Sequence, residues 1–387
     1  MKLRKSIEEL KPLMMEWRHE IHAYPEIAFE EFRTASFVEE KLREWGLEVE
    51  SGIAKTGVVG TLRGSGNGPA IAIRADMDAL EITEETGLDY ASQHKGKMHA
   101  CGHDGHTAML LGAAYHLSIN KKFKGTVHFI FQPAEEGAGG AKVMMEEGLF
   151  EKFPVDAVYG LHNWPGLPVG HFAAISGPVM AAADLFKISI SGKGTHGAMP
   201  HLGADPIVCA SQIVMSLQTI TSRNIDPVFA SVVSITKING GSTMNVIPEK
   251  VILEGTARAF DDSVRDQIES RIRKIAIKNA ESHDCISEVS YNRNYPATVN
   301  SLHETELAAT AAESTVGSEN LHRSLPACMG AEDFAFMLNE KPGCYIWMGN
   351  GSSDGGRILH NPRYDFNDDA LPFGANYWVN LVEGLLK

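Results

Sequence analysis

Ile7, Leu10, Met14, Trp17 and Ile21 recur at helical spacing near the start of the chain, which predicts an amphipathic helix. Ser6 followed by Glu9 reads as its capping box, and Pro25 closes the run. A second helical stripe carries Phe37, Val38, Leu42 and Trp45 and stops at Gly46. Beyond it, apolar runs at 57–62, 70–75, 126–132 and 157–162 read as strands, and the stretches 107–117 and 140–147 as helices. Strands alternating with helices predict an α/β layer around a mostly parallel sheet.

From about Ala183 the rhythm changes. Phe186, Ile188 and Ile190 alternate with polar residues, as in a sheet with one buried face. The order that follows is helix 205–223, strands 230–239 and 250–260, helix 262–283 and strand 286–292. This β-α-β-β-α-β sequence predicts a ferredoxin-like module. After Pro296 a helix (302–316), a strand (344–349) and a terminal helix (369–386) resume the first pattern. The expected organisation is a domain of residues 1–182 and 297–387 with a smaller domain, 183–296, inserted in it.

Composition narrows the functional classes. The 387 residues carry 35 Lys and Arg against 49 Asp and Glu, a formal net charge of −14. Such a chain repels nucleic acids and anionic membranes, so neither is an expected partner. No apolar run approaches a membrane span, and the N-terminus lacks the apolar core of a signal peptide. The five cysteines are odd in number and scattered. A reducing, cytoplasmic setting is the expectation.

The densest chemical cluster is MHACGHDGH, residues 98–106, with three imidazoles and a thiol in a loop before a predicted helix. Residues two apart share a face of an extended loop, so Cys101 and His103 can enter one site, and thiolate with imidazole suits zinc and other first-row metals. A polar loop whose histidines only hydrogen-bond has the same letters. FQPAEEG, residues 131–137, puts Glu135 and Glu136 at the end of a predicted strand, where open α/β sheets hold ligands; a solvated acidic turn is the plainer reading. His162 in LHNW and His360 in LHN each read, alone, as structural histidines. Taken together, Cys101, His103, Glu136, His162 and His360 are five ligands, about enough for two ions if one group bridges.

MHACGHDGHT, FQPAEEG, GLHNWP, GKGTHGAMPH, NVIPE and LHN, in this order along nearly the whole chain, resemble the M20 family of metallopeptidases and aminoacylases. The likeness is greatest to its hippurate and auxin-conjugate amidohydrolase branch. The resemblance implies a zinc-exopeptidase-like catalytic domain with an inserted lid that dimerises or builds a tetramer. It implies two divalent ions per subunit (zinc, manganese, cobalt or nickel) on Cys101, His103, Glu136, His162 and His360, with Glu135 as general base. His196 of the lid becomes the oxyanion donor, in its own or a neighbouring subunit's site. Asn245 and Arg258 become the grip on the substrate's carboxylate, and Gly330 lines the pocket. One departure stands out. Many M20 members have a His-x-Asp ligand motif on an earlier strand, whereas here RADMD puts Asp76 in the histidine's place. Asp76 and Asp78 are therefore expected to support ligands rather than to act as ligands.

The implied reaction is hydrolysis of an N-acyl amino acid to a carboxylic acid and an amino acid. Dipeptidase, carboxypeptidase or N-acetyldiaminopimelate deacetylase activity would use the same ions. A zinc-stabilised binding protein would need only a closed four-ligand site. A cysteine hydrolase would make Cys101 the nucleophile and survive chelation.

Overall fold

A computed structural model of the chain describes residues 3–387. Two compact units emerge. The first takes the chain to Val179 and then Val299–Pro326 and Asp333–Lys387; the second is Met180–Thr298 with Ala327–Glu332.

The opening helix is broken where one continuous helix was expected. α1 is only Lys5–Glu8, and its N-cap, Arg4, makes no side-chain cap bond; α2 starts at Lys11 and ends at Ala23. Pro12 is the reason. Its ring clashes with the carbonyl four residues back, at Glu8, and it offers no N–H. Instead of capping, the Ser6 hydroxyl meets His116 Nδ1 at 3.3 Å. Ile7, Met14, Trp17 and Ile21 are buried all the same, so the apolar stripe survives the break.

Next come α3 (Phe32–Glu44), β1 (Glu48–Ile53), β2 (Gly57–Arg63), β3 (Ala70–Asp76), α4 (His103–Ile119), β4 (Thr126–Gln132), α5 (Gly140–Glu146), β5 (Ala157–Trp164) and β6 (Phe172–Ala173). The second unit then contributes β7 (Ala182–Ser191), α6 (Pro206–Thr219), β8 (Ser231–Gly240), β9 (Lys250–Ala259), α7 (Asp262–Ser282) and β10 (Ile286–Tyr295). The chain returns through α8 (Leu302–Val316), β11 (Leu321–His322), β12 (Gly343–Gly349) and α9 (Leu371–Leu385).

In the first unit the sheet order is β1-β2-β4-β3-β5-β12-β6-β11. Its centre, β4-β3-β5-β12, is parallel, and these strands are buried almost throughout, as expected when both faces are covered. β1 pairs antiparallel on β2 at the edge. Its sequence, EVESGI, is largely exposed, which leaves no apolar alternation to read. The parallel centre brings the carboxyl ends of β3, β4 and β5 side by side; Glu135 and Glu136 follow the end of β4, His162 lies near the end of β5, and Cys101 and His103 stand at the start of α4.

The second unit is a four-stranded antiparallel sheet in the order β8-β9-β7-β10. Phe186, Ile188, Ile190, Val251 and Leu253 pack with Cys209, Ile213, Leu217, Ile268 and Ile272 of the two helices. Asp205 and Asp261 cap α6 and α7 by accepting backbone N–H groups. This is the ferredoxin-like arrangement.

Candidate metal centre

Six sequence-marked residues meet in the first unit. Donor atoms of Cys101, His103 and His162, all buried, lie within 4.8 Å of one another; so do those of Cys101, Glu136 and His360, and those of His103, Glu135 and Glu136. Cys101, His103 and Glu136 each belong to two of these groups. Each residue is delivered by a strand end or a turn. Gly102, at φ 94°, caps α4 and sets Cys101 and His103 on either side of the turn. β4 ends at Gln132, and the turn through Ala134, at φ 56°, presents Glu135 and Glu136. His162 lies on β5, two residues from its end. His360 is itself left-handed, at φ 61°, and its N–H donates to Ala100 O at 2.8 Å.

The hydrogen bonds fix which imidazole atoms face the centre. His103 Nδ1–H donates to Asp78 O at 2.8 Å, and buried Nε2 has no hydrogen-bond partner among the described residues. His162 Nδ1–H donates to Asn163 O at 2.7 Å, and its Nε2 sits 3.4 Å from Cys101 Sγ. A ligating histidine needs this arrangement, one nitrogen tied down and the other carrying a free lone pair. Asp78 Oδ2 also accepts the Glu136 N–H at 2.9 Å. His360 Nε2 approaches Glu136 Oε1 to 3.2 Å.

Electrostatics favour a cation here. Burial raises the Cys101 thiol well above its usual pKa, and Glu136, Glu135 and Asp76 raise it further. Burial opposes protonation of His103, yet Asp76, Asp78 and Glu136 bring it up to about 10. Burial, with His106 beside it, holds His162 well below the usual range. Negative charge thus concentrates around these donors, enough to keep protons on Cys101 and His103. A divalent ion relieves that concentration, and thiolate, imidazole and carboxylate together suit borderline first-row metals. The residues present fit such ions.

Asp76, His103 and His106 are also mutually close, but His106 is already committed. Its Nε2 accepts the Asn163 N–H at 2.9 Å, so its proton is on Nδ1, which donates to Asp76 Oδ1 at 2.6 Å. Asp76 Oδ2 receives Arg74 at 2.7 Å. Where the family motif has a ligand, this chain has a buried carboxylate clamped between an arginine and a histidine. His99, the remaining imidazole of the motif, is buried outside all of these groups, and burial lowers it to about 4.

Sequence reasoning missed several supports. Fully buried Arg18 of α2 reaches Asp104 and Asp365, each at 3.1 Å, and also Asp368. His22 bridges Asp104 and Glu84; burial opposes its protonation, but Asp104 and Glu84 push it up to about 9. Glu31 accepts the N–H of Ala134 at 2.9 Å and the Thr56 hydroxyl at 2.6 Å, thereby holding the turn before Glu135. Burial pushes Glu31 up to about 7. No local signal marks Glu31, since its partner lies 103 residues away.

The remaining candidates belong to the second unit. His196 and Asn245 are exposed at a short two-stranded antiparallel ribbon, in which Thr195–His196 pairs with Val246–Ile247. His196 Nδ1 accepts the Ala198 N–H at 3.0 Å, leaving Nε2 outward. Arg258 is half-buried on β9, and one of its terminal nitrogens is buried with no hydrogen-bond partner among the described residues. Burial lowers its pKa. Gly330 is exposed, its O accepting from Ala181 N at 2.9 Å; an added Cβ would meet only side chains, at 3.3 Å.

An ion-binding cluster with an adjacent spare carboxylate, at the carboxyl ends of a mostly parallel sheet, defines a metal-dependent hydrolase. The chain belongs to Peptidase family M20/M25/M40, whose model matches residues 72–384. It is 42% identical over 375 residues to the N-acetyl-L-cysteine deacetylase of Bacillus subtilis (strain 168), covering 97% of this chain and 88% of that protein. It is 41% identical over 370 residues to the hippurate hydrolase of Campylobacter jejuni, covering 96% of each. Among solved structures, the Bacillus subtilis YXEP protein, described as a dinuclear metal binding peptidase from the M20 family, matches with a TM-score of 0.84 at 36% identity over 98% of this chain and 99% of that one.

Proposed function

We propose that the chain hydrolyses the amide bond of N-acyl amino acids, taking up water and releasing a carboxylic acid and a free amino acid. The observation that carries this reading is the convergence of Cys101, His103, Glu136, His162 and His360 beside the buried carboxylate of Glu135. The five would hold two divalent cations, zinc, manganese, cobalt or nickel. When bound, such ions supply Lewis-acid polarisation of the amide carbonyl and an acidified water.

The chain's own groups do the rest. Glu135 takes the water's proton on its carboxylate and hands it to the departing nitrogen, which an amide needs because an amine anion leaves poorly. His196 donates from Nε2 to the developing oxyanion, from its own chain or a neighbour's. Arg258 and Asn245 bind the free carboxylate of the amino-acid half, and Gly330 lines that pocket. An arginine with a desolvated, unpartnered nitrogen on a protein of net charge −14 is suited to capturing a carboxylate in a forked grip. The substrate class follows the names of the deacetylase and the hippurate hydrolase.

The 183–296 lid is also the proposed surface for a homodimer or homotetramer. Ile207, Val208 and Met215 are exposed on α6, which carries no charged residue. The working compartment is the cytoplasm. No helix among the described residues is long and apolar enough to cross a membrane, and all five cysteines are free.

The decisive experiment is Glu135→Gln. Metal content should match the parent while turnover on a panel of benzoyl-, acetyl-, indoleacetyl- and peptidyl-amino acids falls about 10²–10⁴-fold. Near-parental turnover would remove Glu135 as the base, and activity that survives chelation would remove the metal reading.

A further inference from the structure

We infer that Asn163, with Tyr364 and His106, is the positioning hub that sets the spacing of the three segments carrying Cys101 and His103, His162, and His360. The inference rests on the reading of those four residues as metal ligands.

The three segments are remote in sequence, and nothing in regular secondary structure fixes their mutual distances to the fraction of an ångström that a metal requires. Asn163 touches all of them. Its side chain is fully buried, and every polar atom on it is used. Nδ2 donates to Cys101 O at 2.6 Å and to His106 Nε2 at 3.1 Å. Oδ1 accepts the Tyr364 hydroxyl at 2.8 Å. The backbone N–H donates to His106 Nε2, and the backbone carbonyl accepts His162 Nδ1–H, which fixes the His162 tautomer. The amide has one workable orientation. Turned over, Oδ1 would face the Cys101 carbonyl and the His106 lone pair, three acceptors with no proton between them.

Each partner is anchored in turn. His106 is held by Asp76, and Asp76 by Arg74. Tyr364, fully buried, lies four residues beyond His360. The segment bearing His360 is thus pinned at one end by the His360 N–H on Ala100 O and at the other by Tyr364 on Asn163. The hub closes over Gly102, where a Cβ would fall 2.3 Å from Asn163 Nδ2 and 2.4 Å from the Tyr364 hydroxyl oxygen. The Cys-Gly-His spacing therefore keeps a site for Asn163 and Tyr364 as well as a turn.

Partners that orient metal ligands typically contribute 10–100-fold in metal affinity. The test uses the full-length protein loaded with Co²⁺, whose thiolate charge-transfer band reports the Cys101 geometry. Affinity is read by competition with a chromogenic chelator. Tyr364→Phe removes only the hydroxyl and should fold; Co²⁺ affinity should drop about 10-fold or more and the thiolate band should shift or weaken. Asn163→Asp, which turns a carboxylate oxygen on the Cys101 carbonyl, should lose more. Val382→Ala, a buried α9 change outside the hub, serves as the stability control and should keep the parental band and affinity. Parental affinity and band in Tyr364→Phe would overturn the inference, as would an equal loss in Val382→Ala. A parent that binds cobalt without any thiolate band would instead remove Cys101 as a ligand, and the hub with it, so the two failures are distinguishable.

Discussion

In the first unit a fully buried guanidinium, that of Arg18, meets three carboxylates; in the second, half-buried Arg258 has no ion-pair partner among the described residues. Asp184, the buried carboxylate of that unit, is taken by Arg265 and by the Tyr291 hydroxyl. The contrast extends to the histidines. His103, His106 and His162 are buried with their tautomers set by named acceptors and donors, whereas His196 is exposed on a short two-stranded ribbon with Nε2 turned outward. Arg18 Nη2 and Asp104 Oδ1, like one Arg258 nitrogen, lack a hydrogen-bond partner among the described residues, so what sets the first unit apart is charge pairing; buried paired networks give rigidity, and rigidity is what ligands of an ion need. A group that must meet a passing substrate needs an open position, at some expense in desolvation. Under the proposed function, the first unit is built to hold and the second to receive.

The largest expected effect tests the holding half. In Arg18→Met, Asp104 remains buried with only His22 left as a cationic partner, and removing one partner of a buried ion pair costs about 3–5 kcal/mol. All five tryptophans, 17, 45, 164, 347 and 378, belong to the first unit, so tryptophan fluorescence during denaturation reports that unit alone. A loss under ~1 kcal/mol would mean that the network contributes little to rigidity and would break the comparison.

Arg258→Met tests the receiving half and should behave in the opposite way. No described partner is orphaned by it and a desolvated nitrogen is removed, so unfolding free energy should stay within about ±0.5 kcal/mol of the parent. The kcat/KM on N-acyl amino acids should fall by about 10–100-fold, the worth of a charged hydrogen-bonded grip, while substrates whose carboxylate is amidated should be little affected. Equal losses on both substrates would remove the carboxylate role.

Much of this contrast could be read from the sequence, and the unread part has a common cause. Cys101 and His103 occupy a dense motif at a helix start, and Glu135, Glu136 and His162 short motifs at strand ends, which follow from runs of apolar residues. The lid's β-α-β-β-α-β order was likewise visible because its strands alternate and its helices begin at Asp205 and Asp261. The broken first helix was hidden because the hydrophobic stripe continues across Pro12 while the backbone does not. β1 was hidden because an exposed edge strand needs no apolar face. The supports, Arg18, Glu31, Asn163 and Tyr364, act through partners tens to hundreds of residues away. Periodicity carries no record of such pairings.

The smallest effect sharpens the comparison through pH, and Glu31 is the group to use. Its folded pKa, about 7, lies above the ordinary 4.5 because burial disfavours its carboxylate. Between those values the folded protein binds a proton that the unfolded chain has released, so stability falls as pH rises through this window. The contribution is fully present below about 4.5 and gone above about 7. A shift of this size corresponds to about 3 kcal/mol. Glu31→Gln keeps an acceptor for the Phe29 and Ala134 N–H groups and a donor for the Thr56 oxygen, but it cannot titrate. Denaturation of both proteins, followed by tryptophan fluorescence from pH 5 to 8, should show the variant gaining on the parent as pH rises, by up to about 2 kcal/mol. Ligand protonation and metal release are common to both proteins and cancel in the difference. A difference that stays flat across the window would mean that Glu31 is ionised throughout. The turn presenting Glu135 would then be held by a charged carboxylate, and burial in the first unit would be less complete than its hydrogen bonds imply.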